Sequence, residues 1–358
     1  MSAPRLFERG FGFAPAATGT ARGRVNLLGE HTDYNDGLVL PTAIALGTEV
    51  AVGRSRDGAY HFFSENYSEA QARVDYAADA EPARGYGRYV YGCFEVLRGQ
   101  GVAIEPCCVA IQSEVPIGAG LSSSAALEVA VLRALRELYR LDLEDVALAR
   151  LAQRAEVEYV GVRSGIMDQM AASLGQPGQL LFLDTRSLET QLVPFPEGTQ
   201  ITVLDCGVPR TLAASGYNDR RRECEAAAAA LGVASLREIE EVARVESLPE
   251  PLRSRARHVV SENARVMIAA RGVDAQCFGQ LMNESHRSLR DDFEVSVPAL
   301  DRLVECLLGQ RGVYGCKLTG AGFGGACVAL LAAGTAAAVQ AGALRSYADH
   351  GHRGSVLL

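Results

Sequence analysis

The chain has 358 residues, 48% of them hydrophobic and 22% charged, with a formal net charge of −8. This length suits two domains, and this composition suits a packed core. The acidic balance argues against general nucleic-acid binding, which needs a basic footprint, but not against a small anionic ligand, because local donors outvote net charge.

The opening segment, Met1 to Gly10, lacks the apolar core of a secretory leader. Arg24-Val25-Asn26-Leu27-Leu28-Gly29-Glu30-His31-Thr32-Asp33-Tyr34-Asn35-Asp36-Gly37 then gathers polar groups densely. Glu30, His31 and Asp33 suit a polyol, whose hydroxyls both donate and accept; carboxylates take donated protons and imidazole serves either role. The same run resembles a solvated polar turn, above all at Asn35-Asp36-Gly37. A zinc site is poorly supported, since no second histidine lies nearby.

Gly37 to Val52 reads as β, and so does Cys107 to Ser113. The second run leads into Pro116-Ile117-Gly118-Ala119-Gly120-Leu121-Ser122-Ser123-Ser124-Ala125-Ala126. Gly118 and Gly120 permit positive φ and present no Cβ to an anion. A helix follows from about Ser123 to Tyr139, with the stripe Ala125, Leu127, Val129, Leu132, Leu135 and Leu138 and with Arg and Glu between. N–H groups at a helix start attract negative charge, and Ser122, Ser123 and Ser124 add hydroxyls. An ordinary serine N-cap after a glycine turn explains part of this pattern; three serines exceed what a cap needs.

A further helix is expected from Glu144 to about Val162. Gly165-Ile166-Met167-Asp168-Gln169-Met170 sets one carboxylate among apolar neighbours. A buried Asp needs a partner, so Asp168 is either a helix cap or structural ion pair, or a group that meets a substrate hydroxyl. The domain boundary is expected near Leu174 to Gly178. Gln179 to Asp184 and Thr199 to Asp205 read as strands, Asp219 to Leu231 as a helix, and Val259 to Met282 as helical with a break at Gly272. Val313 to Leu318 and Cys327 to Leu331 read as strands around Thr319-Gly320-Ala321-Gly322-Phe323-Gly324-Gly325, which is a tight hairpin or a close approach of backbone to a phosphate or another loop. The apolar stretch Cys327 to Val339 is broken at Gly334 and Thr335 and falls short of the ~20 residues of a membrane span. Nine cysteines with no CxxC pair read as free thiols in a reducing compartment. Lys317, the only lysine, precedes Leu318 and Thr319. Neither a Walker A loop nor a protein-kinase lysine is therefore available.

These segments together closely resemble the galactokinases, within the GHMP kinase superfamily. Gly23 to Gly37 resembles the galactokinase signature, Pro116 to Ala126 the superfamily's ATP loop, and Lys317 to Gly325 its third motif. Gly165 to Gln169, Tyr217 with Arg220 to Glu223, and Ser285 to Arg290 match further galactokinase segments. The resemblance covers nearly the whole chain. It implies an α+β, two-domain GHMP kinase fold, with an N-terminal ribosomal-protein-S5-like α/β domain over 1–175 and a C-terminal ferredoxin-like α+β domain over 176–358.

It also implies ATP-dependent phosphorylation of the C1 hydroxyl of galactose. Glu30, His31, Thr32, Asp33, Gly165 and Tyr217 would bind the sugar. Gly118, Ala119, Gly120, Leu121, Ser122, Ser123 and Ser124 would cradle the ATP phosphates. Ser124 and Glu156 would hold Mg²⁺, and Asp168 would face the anomeric hydroxyl with Arg24 beside it. A cytoplasmic monomer with no nucleic-acid or membrane partner is expected. The rivals are a superfamily kinase for another sugar, such as N-acetylgalactosamine, and a catalytically silent sugar sensor. The chain departs from the family pattern twice: Arg22-Gly23 stands where the family usually has Pro-Gly, and without any tryptophan the expected aromatic near adenine is Tyr86.

Overall fold

The computed structural model describes residues 1–68, 72–77, 79–82, 85–209 and 213–358, and for 213–215 the backbone alone. In chain order its elements are α1 (Ala3–Phe11), β1 (Ala17–Asn26), β2 (Leu38–Val39), β3 (Pro41–Arg54), β4 (Ala59–Ser64), β5 (Arg73–Ala77), α2 (Tyr86–Arg98), β6 (Cys107–Ser113), α3 (Ser123–Tyr139), α4 (Asp145–Ala155), α5 (Met167–Leu174), β7 (Gln179–Asp184), β8 (Thr190–Pro194), β9 (Thr199–Asp205), α6 (Ala213–Ala230), α7 (Leu252–Ala270), α8 (Ala275–Asp291), α9 (Pro298–Leu308), β10 (Val313–Leu318), β11 (Ala326–Ala332), α10 (Ala336–Asp349) and β12 (Ser355–Val356). This is the expected α+β mixture. Among the described residues, no helix is long and apolar enough to cross a membrane.

The packing forms two compact units. One holds Met1–Arg24, Ala43–Pro116 and Ser122–Gly175; the other holds Val25–Thr42, Ile117–Leu121 and Gln176–Leu358. Most of the acidic cluster and the glycine-bearing part of the first loop, Ile117–Leu121, thus belong to the second unit, although both precede residue 176.

In the first unit the strand order is β1-β3-β6-β4-β5. β3 pairs antiparallel with β6 in the register Val50↔Ile111, Ala51↔Ala110 and Val52↔Val109. Alternation sends successive side chains to opposite faces. Val50, Val52, Val109 and Ile111 join the core made with α2 and α3, while Ala51, Cys108 and Ala110 meet Ala3, Leu6 and Phe7 of α1. The sheet is covered on both faces, which is why β6 reads as a continuous apolar run. α3 is buried nearly all round, from Ala125 to Leu135. Glu128, which a stripe reading leaves between apolar positions, is fully buried as a result.

The expected helix over 144–162 ends as an α-helix at Ala155 and passes into a π-helical turn, Glu156–Val160. Such turns re-aim side chains without leaving the helix axis. The expected strand over 37–52 is interrupted at Leu40, whose N–H donates to Leu28 O and whose O accepts from Leu27 N–H. The helix expected from Asp219 starts at Ala213.

In the second unit β10-β11-β9-β12 form an antiparallel sheet. Leu204, Leu318, Cys327, Ala329 and Leu331 share a core with Leu300, Leu303 and Leu307 of α9. The region expected to be helical over 259–282 is two helices, α7 and α8, split where Gly272 takes φ +82°. A smaller sheet, β2-β7-β8, ties the chain after the acidic cluster through Leu38↔Asp184 and Val39↔Leu183.

Candidate active site

Asp168 sits in the first turn of α5, where the helix field favours a negative charge. It is not the cap: Ile166 holds that position without a side-chain bond. Asp168 Oδ1 accepts from Arg24 Nε (2.8 Å) and Nη2 (2.5 Å), and Oδ2 accepts from Ser122 Oγ (2.6 Å). Three donors thus lock the carboxylate. Arg24 is nearly buried, with 4% of its side chain exposed, whereas Asp168 keeps 28%. The arginine is the support and the acid is the reachable group. Two guanidinium bonds occupy Oδ1, while Oδ2, with one, keeps a lone pair for an incoming hydroxyl.

The bond from Ser122 shows that this serine does not cap the helix with its side chain. Ser122 occupies the cap position of α3 in left-handed backbone (φ 59°, ψ 46°) and makes no side-chain cap bond. Its hydroxyl turns to Asp168 instead. Ser122, expected against phosphate, donates its Oγ–H to Asp168 in this structure.

Glu156, on the π-helical turn, is 6% exposed. Its Oε2 accepts from Ser164 Oγ (2.8 Å) and Gln169 Nε2 (2.8 Å). Burial pushes its carboxyl up, Asp168 adds to that, and hydrogen bonds from Ser164, Gln169 and Ser124 oppose it. The expected metal pair, Ser124 and Glu156, is therefore in contact. Gln169 Nε2 also donates to Glu128 Oε2 (3.2 Å). Burial, with the negative charge of Glu156, drives the Glu128 carboxyl well above its ordinary range. Glu128 Oε1 and Gln169 Oε1 are both buried with no hydrogen-bond partner among the described residues. Sequence reading missed Glu128 and Gln169; Gln169 adjoins Asp168, which was a usable signal, whereas Glu128 lay hidden within a helical stripe. Gly165, in the loop before α5, is buried.

In the second unit Glu30, His31, Thr32 and Asp33 share one turn. His31 takes φ +62°, and its Nε2 faces Ala321 O at 3.2 Å. A carbonyl only accepts, so Nε2 carries the hydrogen and Nδ1 accepts from Tyr34 OH at 2.9 Å. Tyr217 lies 5.4 Å from the His31 ring and 5.2 Å from the Tyr34 ring. Asp33 Oδ1 accepts from Tyr34 N–H (3.1 Å). Thr32 is fully buried, and its hydroxyl faces Gly29 O (2.9 Å) and Leu38 O (2.7 Å). That side chain shapes the turn, and its one donor is already in use. Glu30 is 1% exposed and pairs with Lys317.

α7 grips this turn from behind. Gly29 N–H donates to Glu262 Oε1 (2.8 Å), and Leu38 N–H to Asn263 Oδ1 (2.9 Å). His258 Nε2 donates to Glu30 O at 3.1 Å. Burial pulls the His258 pKa from 6.5 down to about 4, with Arg265 acting in the same sense and Glu262 and Asp292 opposing. An unfolded chain binds that proton first. The stability His258 contributes is whole above about pH 6.5 and is lost as pH falls towards 4. Between pH 7 and pH 5 the loss is about 2 kcal/mol. Thermal melts at both pH values should show a larger drop in Tm for the wild type than for His258→Gln; equal drops would remove His258 from the pH response.

The two glycine loops differ. Gly118 takes φ +77°, and a Cβ there would meet nothing within 4 Å. Gly118, Ala119, Gly120 and Leu121 therefore include open backbone next to α3. In the other loop, a Cβ on Gly322 would lie 2.2 Å from Val295 O, and one on Gly324 2.6 Å from Val208 O. Those glycines are required by neighbouring backbone. Arg22, in the place of the family's proline, donates through Nη1 to Ala45 O (3.0 Å). Tyr86 is 3% exposed, stacks on Tyr67 and donates to Ala72 O; it is a core residue and offers no face to adenine.

Comparisons with known proteins identify the family. Residues 88–176 match the GHMP kinases N terminal domain, 5–54 the galactokinase galactose-binding signature, and 267–349 the GHMP kinases C terminal domain. A galactokinase of Roseiflexus sp. (strain RS-1) is 45% identical over 337 residues, 91% of this chain and 86% of that protein. The crystal structure of Lactococcus lactis galactokinase complexed with galactose superposes with a TM-score of 0.91 at 34% identity, covering 99% of this chain and 95% of that one. Methanococcus jannaschii mevalonate kinase superposes at 0.70 with 18% identity over 95% and 96% of the two chains, a likeness of fold alone. Ordered motifs, a shared two-domain fold and this degree of identity lead to one conclusion: the chain belongs to the galactokinase family of the GHMP kinases.

Proposed function

We propose that the chain transfers the γ-phosphoryl group of ATP to the C1 hydroxyl of galactose, giving galactose 1-phosphate and ADP. The observation that supports this most is Asp168, whose side chain keeps 28% of its surface exposed while Arg24 and Ser122 hold it in place, in a chain of the galactokinase family. Phosphoryl transfer needs positioning and charge stabilisation rather than covalent help. Asp168 Oδ2 receives the C1 hydroxyl and takes its proton as the C1 oxygen bonds to the γ-phosphorus. The bond from that phosphorus to the β-phosphate oxygen breaks, and ADP leaves. Arg24 keeps the acid in place and sets a positive charge beside the moving phosphoryl. Glu30, His31, Asp33, Gly165 and Tyr217 bind the sugar, with Thr32 shaping their turn.

Gly118 to Ser124 cradles the phosphates, Ser122 doing so beside its bond to Asp168. Ser124 and Glu156 would hold Mg²⁺. The donor set fits: both are hard oxygen ligands, and Glu156 is a buried carboxyl with no cation among its bonded partners. Among the described residues, no cluster of three or more His, Cys, Asp or Glu is arranged to hold a metal, and an ion carried largely by phosphate oxygens needs none. Bound there, the ion would neutralise phosphate charge. The nine cysteines are free thiols, which suits a reducing compartment; the reading is of a cytoplasmic, monomeric enzyme.

Gly118→Ala tests the phosphate loop. Positive φ costs a non-glycine residue about 1 kcal/mol, so melting changes little. The new methyl enters open space, and the KM for ATP should rise severalfold while that for galactose stays within about twofold. An unchanged ATP KM would show that only the turn needs this glycine. The function itself is tested by ADP release with galactose, glucose, N-acetylgalactosamine and mevalonate. Galactose should dominate. Preference for N-acetylgalactosamine would reassign the sugar, and binding without turnover would make the chain a sensor.

A further inference from the structure

The chain's only lysine is wholly buried on a β-strand. Lys317 has no exposed side-chain surface, and its ammonium meets Glu30 Oε2 and Leu318 O, the latter at 3.0 Å. Glu30 Oε1 lies 3.4 Å from Gly320 N. The pair belongs to a balanced set of buried charges. Glu262 takes Gly29 N–H and Ser285 Oγ–H on Oε1, at 2.8 and 2.7 Å, and Arg265 Nε on Oε2, at 2.7 Å. Against the upward push of burial, Arg265, His258 and Lys317 hold the Glu262 carboxyl down at about 2. Both acids act on one turn: Glu262 holds its backbone at Gly29, and Glu30 is its side chain.

Stability alone does not account for such a pair. Desolvating two charges offsets most of their attraction, and apolar residues of similar volume usually serve a core as well or better. β10 is otherwise apolar where it is buried: Cys316 and Leu318, which flank Lys317, are core residues. The cation instead fixes one oxygen of Glu30, so that the carboxylate's direction no longer depends on solvent or on a ligand. Fixing a binding group before its ligand arrives removes the ordering cost from binding.

We propose that Lys317 is a positioning residue for sugar recognition, holding the Glu30 carboxylate in the orientation in which it receives a galactose hydroxyl. The proposal rests on the reading of Glu30 as a sugar-binding group. The bonded carboxylate partner of Lys317 is Glu30, so removing Lys317 should add little to galactose KM once Glu30 has lost its charge.

Galactose KM, ATP KM and kcat are measured for the wild type, Glu30→Gln, Lys317→Met, Lys317→Arg and the double variant Glu30→Gln/Lys317→Met, with thermal melts on each. Lys317→Met and Glu30→Gln should each raise galactose KM about tenfold or more, leaving ATP KM within about twofold. Lys317→Arg should recover most of the loss. The double variant should be no worse than the worse single one, the mark of two residues acting as a unit. Effects that multiply, or a Lys317→Met enzyme with unchanged galactose KM beside an impaired Glu30→Gln enzyme, would overturn the proposal and leave Glu30 its role. An unchanged KM in Glu30→Gln would remove Glu30 from the sugar and overturn the proposal at its premise. If Lys317→Met does not fold, the double variant decides, since it leaves no unpaired charge: a galactose KM equal to that of Glu30→Gln supports the proposal, and a higher one overturns it.

Discussion

Asp168→Asn is expected to lower kcat by at least ~10², in the range for a positioned proton acceptor, with little change in melting temperature. The amide keeps an oxygen for the guanidinium, which donates to Oδ1 through two nitrogens. It loses the ability to take a proton. Asp168→Ala should lose at least as much activity and more stability, because the nearly buried Arg24 then loses not only the charge but also the oxygen that accepts from its Nε and Nη2. Steady-state kinetics on both variants, with melts as controls, separate the effects. Near-normal turnover in the folded Asn variant would take Asp168 out of the proton chemistry and leave it a structural ion pair.

The second large effect is expected at Arg24. Arg24→Lys keeps the charge but not the planar edge that places Nε and Nη2 on one carboxylate oxygen. A shorter reach and a single point charge leave Asp168 held by Ser122 and by one weaker contact. We expect kcat to fall by about 10 to 10² fold, with a smaller change in galactose KM, because a misplaced acid costs the transition state more than the bound sugar. A kcat within twofold of wild type would show that charge alone suffices at this position, and that the two-pronged contact is incidental.

Both predictions depend on residues legible in the sequence. Asp168 stood out as one acid in an apolar segment, and the two glycine loops and the acidic cluster stood out by composition. Local pattern could not show which partner each polar group takes. Ser122 reads as a cap, and a cap position is indeed where it stands; only the path of α5 brings Asp168 to it in place of the helix amides. Thr32, which the resemblance counts among the sugar ligands, turns its hydroxyl to the carbonyls of Gly29 and Leu38. Glu128 and Lys317 were illegible because a charged residue in an apolar run is normally assigned to solvent; α3 and β10 are covered on the sides that a single stripe leaves open.

Among the elements that went unseen, α1, β4 and β5 are short. Ala3, Leu6 and Phe7 become a buried face only because β3 and β6 offer small side chains opposite them. The π-helical turn at Glu156–Val160 has no sequence signature at all, although it sets the direction of Glu156. Residues 25–42 and 117–121 pack with the second unit, a long-range fact that no boundary signal in composition announces.

The most direct test of the account is the identity of the product. With ATP, magnesium and galactose, ³¹P and ¹³C NMR of the reaction mixture should show one new phosphate monoester attached at C1, with the C1 carbon signal of free galactose replaced by one coupled to phosphorus and ADP formed in equal amount. A phosphate on any other carbon, or ADP released without a sugar phosphate, would contradict the placement of Asp168 and Arg24 at the anomeric hydroxyl.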